Sequence, residues 1–229
     1  PICRDTGYDG SRLCACVKRR AAEIQKQDLS TLLPVDKETF STFRLDYYSS
    51  QPDSRFGLSP RQMAQANLQR CRSFAEHFGS SYENLLLYGS AGLGKTFLSS
   101  CIARTVTERG FSVTYDTAIS IFDQYNAVKF RTGDPAAAAH AVERFRSADL
   151  LIVDDLGTEM PSSFHTSCLY DLISRRLMSR KPTILSTNLL PAELENRYSQ
   201  AIASRILGEF TQLRFIGSDI RRIRKQQRL

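Results

Sequence analysis

Gly89-Ser90-Ala91-Gly92-Leu93-Gly94-Lys95-Thr96 follows the pattern G-x-x-x-x-G-K-[ST]. Glycines at these positions let backbone N–H groups turn inward around phosphates. A helix starting at Lys95 would add the positive end of its dipole. Lys95 brings a point charge to the β- and γ-phosphates, and the Thr96 hydroxyl is a ligand for Mg²⁺. Such a pattern also arises by chance, and gains force only between a strand and a helix. The apolar run Leu85-Leu86-Leu87-Tyr88 precedes it, and a helix-compatible stretch follows to about Glu108. The expected nucleotide contacts are therefore Gly89, Ser90, Ala91, Gly92, Leu93, Gly94, Lys95, Thr96 and Phe97.

A second group is Leu150-Leu151-Ile152-Val153-Asp154-Asp155, an apolar strand ending in two carboxylates. A strand this apolar belongs in the middle of a sheet, with its end facing the phosphate loop. Asp154 is placed to hold Mg²⁺, directly or through water. Asp155 is placed to polarise an attacking water as general base. A third group, Ser186-Thr187-Asn188, ends another apolar strand, where Asn188 can reach the γ-phosphate or the water. Together these groups predict a nucleoside triphosphate–Mg²⁺ site with Lys95, Asp155 and Asn188 in catalytic roles and Thr96 and Asp154 on the metal.

Positioning them requires an alternation of strands and helices, and the chain has one. Strands are predicted at Leu85–Tyr88, Phe111–Tyr115, Leu150–Asp154, Thr183–Thr187 and Leu213–Ile216. Ser59-Pro60 opens a helix, with Ser59 as N-cap and Gly79 as stop. Further helices are predicted around Ile119, Phe122 and Tyr125, over Ala136–Phe145, and over Phe164–Met178. Residues 21–33 favour a helix and residues 34–60 look irregular. The fold class that follows is α/β, a parallel sheet sandwiched by helices.

The 229 residues are 41% hydrophobic and 24% charged, an ordinary globular composition. With no apolar run of ~18 residues, nothing in the sequence spans a membrane. The net charge of +7 is concentrated in the tail Arg221-Arg222-Ile223-Arg224-Lys225-Gln226-Gln227-Arg228. Such a cluster suits phosphate backbones, and equally a solvated terminus. Cys71, Cys101 and Cys168 sit among apolar neighbours, as buried thiols do. Cys3, Cys14 and Cys16 cluster instead, with metal-like spacing but one ligand short of a structural Zn²⁺ site. The first residue is Pro1, which reads as a processed or truncated start.

The order of the three groups resembles AAA+ ATPases, with Walker A at Gly89–Thr96, Walker B at Leu150–Asp155 and sensor 1 at Thr187-Asn188. The segment from Leu150 through Asp155-Leu156-Gly157-Thr158-Glu159 is similar to that of the DnaC/DnaI bacterial helicase loaders and their IstB transposition relatives. So is the stretch from Arg175 through Lys181-Pro182-Thr183 to Asn188. The resemblance covers about residues 40–225. It implies that Arg205 is an arginine finger acting on a neighbouring subunit and that Arg221 is a sensor 2 arginine acting in cis. The short stretch between them leaves no room for a full helical lid, as in this branch of the family. Residues from Phe40 to Tyr47 would pack near the adenine, by analogy. One departure matters: many AAA+ proteins carry Glu where this chain has Asp155, and the shorter side chain puts the turnover rate in question more than binding.

The resemblance extends to the Cys-rich end. DnaI-like loaders have a Cys-x-x-Cys pair, then Asp-Thr-Gly-Tyr, then a Cys-x-Cys pair. Here Asp5-Thr6-Gly7-Tyr8 follows Cys3 and precedes Cys14 and Cys16. The expectation is a chain cut just inside a Zn²⁺-binding ribbon, with a helicase-binding domain upstream. The implied organisation is a partial zinc-ribbon-like segment at 1–20, a helical and irregular linker at 21–58, and an AAA+ domain with a basic tail at 59–229.

Related loaders hold single-stranded DNA by elements after the second strand. Lys129, Phe130 and Arg131 lie in the corresponding segment and combine cation with aromatic ring. The same residues suit the solvated end of an amphipathic helix. The implied activity is Mg²⁺-dependent, assembly-dependent ATP hydrolysis by a bacterial cytoplasmic helicase loader. Its partners would be the replicative DNA helicase, single-stranded DNA and further copies of itself in an ATP-dependent oligomer, with no membrane. An IstB-like transposition helper that remodels DNA and recruits a transposase stays open. A nucleotide kinase or GTPase is disfavoured by Asn188 and Arg205, and no Asn-Lys-x-Asp guanine-reading motif occurs.

Overall fold

The computed structural model describes residues 3, 6–9 and 12–226. Asp5 of the front turn and Gln227 and Arg228 of the basic tail lie outside the described residues. Five strands form one parallel sheet: β3 (Leu85–Tyr88), β4 (Val113–Thr117), β5 (Leu150–Leu156), β6 (Thr183–Thr187) and β7 (Thr211–Arg214), in the order β4-β5-β6-β3-β7. They are preceded by a short antiparallel pair, β1 (Tyr8–Asp9) and β2 (Arg12–Leu13), then α1 (Ala15–Leu32) and α2 (Pro60–Glu76). The helices between and after the strands are α3 (Lys95–Glu108), α4 (Ala118–Phe130), α5 (Pro135–Ser147), α6 (Ser163–Met178), α7 (Pro191–Arg197), α8 (Gln200–Glu209) and α9 (Ile220–Gln226).

The central strands read as continuous apolar runs because both faces are covered. Alternate side chains divide between two cores. Leu86, Leu151, Val153 and Leu185 face the layer of α4, α5, α6 and α8, with Ile121, Phe145, Leu169 and Ile202. Leu85, Leu87, Leu150, Ile152 and Ile184 face α1, α2 and α3, with Leu29, Phe74, Leu98 and Ile102. Each fully buried Leu or Ile adds about 1.5–3 kcal/mol against its exposed state. The chain leaves β3 in one direction toward β6, β5 and β4 and returns on the other side as β7. Such a switch in strand order opens a crevice beyond the strands' carboxyl ends, where open α/β sheets take ligands.

Local signals explain most boundaries. The Ser59 hydroxyl accepts the Gln62 N–H while the Gln62 side chain accepts the Ser59 N–H, a reciprocal cap at the start of α2. Asp134 caps α5 ahead of Pro135. Three expectations shift. β4 starts at Val113, two residues later than expected, because Phe111 turns aside to pack edge-on against Phe78. β7 ends at Arg214, although Phe215 and Ile216 beyond it remain buried. Ile119 points outward, and the buried face of α4 is Ala118, Ile121, Phe122 and Tyr125. Residues Leu29, Leu33 and Val35, after α1 and within its last turn, join the core under α3. Among the described residues no helix is long and apolar enough to cross a membrane.

Candidate nucleotide-binding site

The loop between β3 and α3 bends through left-handed backbone at Gly89, Gly92 and Gly94. At Gly89 a Cβ would lie 2.2 Å from the Phe215 carbonyl oxygen, and at Gly94 2.8 Å from the Tyr48 hydroxyl. Only glycine fits there on both counts. The Tyr48 hydroxyl also donates to the Leu93 carbonyl at 2.9 Å. Phe43 stacks on Tyr48 at 5.7 Å and meets Phe97 edge-on at 5.5 Å. The segment before α2 thus packs directly on the loop. Tyr48 lies one residue past the stretch singled out from the sequence.

Lys95 is buried, and its ammonium donates to the Gly89 carbonyl at 2.6 Å, the Ser90 carbonyl at 2.8 Å and Asn188 Oδ1 at 2.8 Å. Burial lowers its pKa to about 8, against the raising effect of Asp154 and Asp155. Asn188 reaches Lys95 because β6 pairs with β3, Tyr88 opposite Thr187.

Asp154 is buried at the end of β5. Its Oδ2 accepts from the Thr96 hydroxyl at 2.8 Å and from the Tyr115 hydroxyl at 2.9 Å, and its Oδ1 from the Asp155 N–H at 3.0 Å. Thr96 and Asp154 therefore put hard oxygen donors side by side, a set that would suit Mg²⁺. Tyr115 escapes a reading for catalytic types, because an aromatic in a strand looks like core. Its phenol stays protonated, by burial and then by Asp154 beside it.

Asp155 is exposed while its neighbour is buried, and a bulge explains the difference. Between Val153 and Leu156 the register of β5 on β6 shifts, Val153 facing Leu185 and Leu156 facing Thr187. The extra residue sets Asp155 at φ 52°, left-handed for a non-glycine. Such strain costs about 1–3 kcal/mol and re-aims a side chain. Desolvation, then the charge of Asp154, raises the Asp155 pKa, while Lys95 and Arg221 oppose the rise.

α9 docks on the loop through the Ile220 N–H, which donates to the Gly92 carbonyl at 3.0 Å. Arg221 follows, near enough for its charge to act on both Lys95 and Asp155. The start of the basic tail therefore lies beside the loop. Arg205 does not reach this site within the chain. Its guanidinium stacks over the Tyr170 ring at 4.9 Å and donates to the Tyr170 hydroxyl at 2.8 Å, on the outer face of α6.

Two groups lie apart from the loop. Lys129 holds its ammonium over the rings of Phe164 at 3.9 Å and Phe130 at 5.2 Å, with Phe130 61% exposed and Arg131 ending α4. The Sγ atoms of Cys3, Cys14 and Cys16 lie within 4.8 Å of one another, Cys3 and Cys16 at 3.3 Å. Three converging thiols fit three corners of a tetrahedral Zn²⁺ site, and a fourth ligand would have to come from another residue. Cys71, Cys101 and Cys168 are buried.

Comparisons with known proteins give a family and a fold. The family profile described as IstB-like ATP binding protein matches residues 53–227, well over half of the chain, so the chain belongs to that family. The replicative helicase loader DnaC of Escherichia coli (strain K12) is 25% identical over 141 residues, which are 61% of this chain and 56% of that protein. An ATP-binding protein in an insertion sequence of Mycobacterium tuberculosis (strain ATCC 25618 / H37Rv) is 28% identical over 116 residues, 48% of this chain and 42% of that protein. The chain spans about half the length of the curated relatives it matches. The crystal structure of the DnaC helicase loader superposes with a TM-score of 0.64 at 18% identity, over 80% of this chain and 99% of that one. This likeness is one of fold: a five-stranded parallel sheet flanked by helices, as in AAA+ P-loop ATPases.

Proposed function

We propose that this member of the IstB-like ATP-binding family hydrolyses ATP, and that it uses the nucleotide to deliver a replicative DNA helicase onto single-stranded DNA. One observation carries the catalytic part: Lys95, Asn188, Thr96 and Asp154, from three different strand ends, meet in hydrogen bonds of 2.8 Å. The N–H groups of the loop and of the first turn of α3 take the phosphate oxygens. Lys95 exchanges carbonyl partners for β- and γ-phosphate oxygens. Thr96 and Asp154 would hold Mg²⁺, which neutralises phosphate charge as ATP reacts. Asp155 accepts the proton of a water whose oxygen attacks the γ-phosphorus, while the β–γ bridging oxygen leaves with ADP. Asn188 orients that water or the γ-phosphate, and Arg221 neutralises charge in cis. Arg205 supplies the remaining cation from a neighbouring subunit in an ATP-dependent oligomer.

The DnaC relative and the clustered Cys3, Cys14 and Cys16 support the loader reading, in which the three thiols would help hold Zn²⁺ in the bacterial cytoplasm. Lys129, Phe130 and Arg131 would give single-stranded DNA an exposed ring and two cations. The insertion-sequence relative supports the second reading, an ATPase that recruits a transposase and remodels DNA. Co-purification separates them. Full-length protein that retains replicative helicase in an ATP-dependent manner is a loader. Retention of a transposase and indifference to helicase would make it a transposition helper.

A further inference from the structure

We infer that Glu159 is a positioning residue: it ties the turn that carries Asp155 to the α7–α8 corner, so that Asp155 and the helix bearing Arg205 keep their places together. This rests on the roles given above to those two residues. Glu159 lies on the loop just past β5, yet it is only 6% exposed. A carboxylate so deeply placed needs donors, because burial without them is costly. It has them from two directions. The Gly157 N–H, within the turn, donates to Oε2 at 2.9 Å. The Tyr198 hydroxyl donates to Oε1 at 2.6 Å, and the Arg197 guanidinium lies 3.4 Å from the same oxygen. Arg197 also donates to the Glu159 main-chain carbonyl. Arg197 ends α7, and Tyr198 leads into α8.

The turn needs such a tie. The main-chain carbonyl of its left-handed Asp155 accepts from the Thr158 N–H at 3.2 Å and hydroxyl at 2.8 Å, contacts made within the turn itself. From outside, the Thr187 hydroxyl holds the Leu156 carbonyl at 2.6 Å, and the Leu189 side chain fills the space where a Gly157 Cβ would stand. These contacts fix the side toward β6 and Asn188. Glu159 fixes the opposite side, toward α8. Strained backbone persists only where its surroundings over-determine it, and Glu159, with Arg197 donating to its main-chain carbonyl, links this turn to the corner that leads into the Arg205 helix.

Glu159→Gln in the full chain is the sharp variant, because it keeps the volume and turns one acceptor into a donor facing a donor. Amide exchange of the nucleotide-free protein is expected to quicken about tenfold in two segments together, 155–159 and 198–202. Mg²⁺-ATP affinity should stay within about threefold and single-turnover hydrolysis should fall about 100-fold, since a small misplacement of a catalytic group costs that much. Faster exchange in one segment alone, or lost affinity with unchanged turnover, overturns the inference. Adding Glu159→Gln to Asp155→Asn should lower turnover by less than it does in the wild-type background, since only the share acting through Arg205 remains, and an added loss of full size also overturns it. If Asp155→Asn keeps wild-type turnover, the role of Asp155 has failed, and the exchange of the two segments decides the tie by itself. Should Glu159→Gln not fold, Tyr198→Phe removes a single hydroxyl. It should quicken both segments to a smaller degree, and no change in either counts against the tie.

Discussion

Lys95 shows how one side chain serves two states. Buried against the Gly89 and Ser90 carbonyls and Asn188, its ammonium has a pKa lowered to about 8 by desolvation. Phosphate oxygens favour the charged form and must raise that pKa. The sign follows: below it the protein meets ATP with its charge in place, and above it binding must first take up a proton. Isothermal titration at about pH 8.5, in two buffers of different ionisation heat, should show net proton uptake on ADP binding, and affinity should weaken up to about tenfold per pH unit above that range. Lys95→Ala should abolish the uptake together with most of the affinity. Lys95, Thr96, Asp154 and Asp155 were legible from spacing because each belongs to a short contiguous motif. Tyr48, Tyr115 and Glu159 were not, because their partners Leu93, Asp154 and Tyr198 stand 45, 39 and 39 positions away.

At the scale of elements, the apolar runs were enough to place β3, β5 and β6, since central parallel strands leave no polar face. The edge elements read less well. β4 and β7 moved by two residues, Phe111 turning aside to pack edge-on against Phe78 and Phe215 lying buried just past the last paired residue of β7. Residue type and spacing alone did not mark the joint between α5, α6 and β6. Arg176 looks like its neighbour Arg175, yet it is 1% exposed. Its guanidinium donates to the Phe145, Arg146, Ala148 and Pro182 carbonyls and to the Thr183 hydroxyl, at 2.6 to 3.2 Å. Burial lowers its pKa to about 10, so the cation persists at neutral pH. Arg176→Ala strands several buried carbonyls and should cost about 3–5 kcal/mol in urea unfolding. Arg175→Ala, losing an exposed ion pair with Asp171, should cost under about 1 kcal/mol.

At the scale of the whole molecule, the two arginines singled out from the sequence take different places. Arg221 arrives in cis with α9, whereas Arg205 is held on Tyr170, away from the loop. Arg205→Ala should therefore leave nucleotide affinity of the monomer within about threefold and lower the ATPase rate of the assembled protein about 1,000-fold, as expected for a finger supplied in trans. Mixing it with Lys95→Ala subunits should restore part of the activity, since Arg205→Ala subunits keep an intact loop and receive Arg205 from their neighbours.

We propose that the ends of β3, β5 and β6 form a hydrolytic centre and not only a phosphate cradle. The decisive measurement is single-turnover hydrolysis of Mg²⁺-ATP by Asp155→Asn, read beside its ATP affinity. Affinity should stay within about threefold of wild type and hydrolysis should slow about 100- to 10,000-fold, the range for loss of a general base. Wild-type hydrolysis by Asp155→Asn, or a wild-type protein that binds ATP without cleaving it in the assembled state, would contradict it.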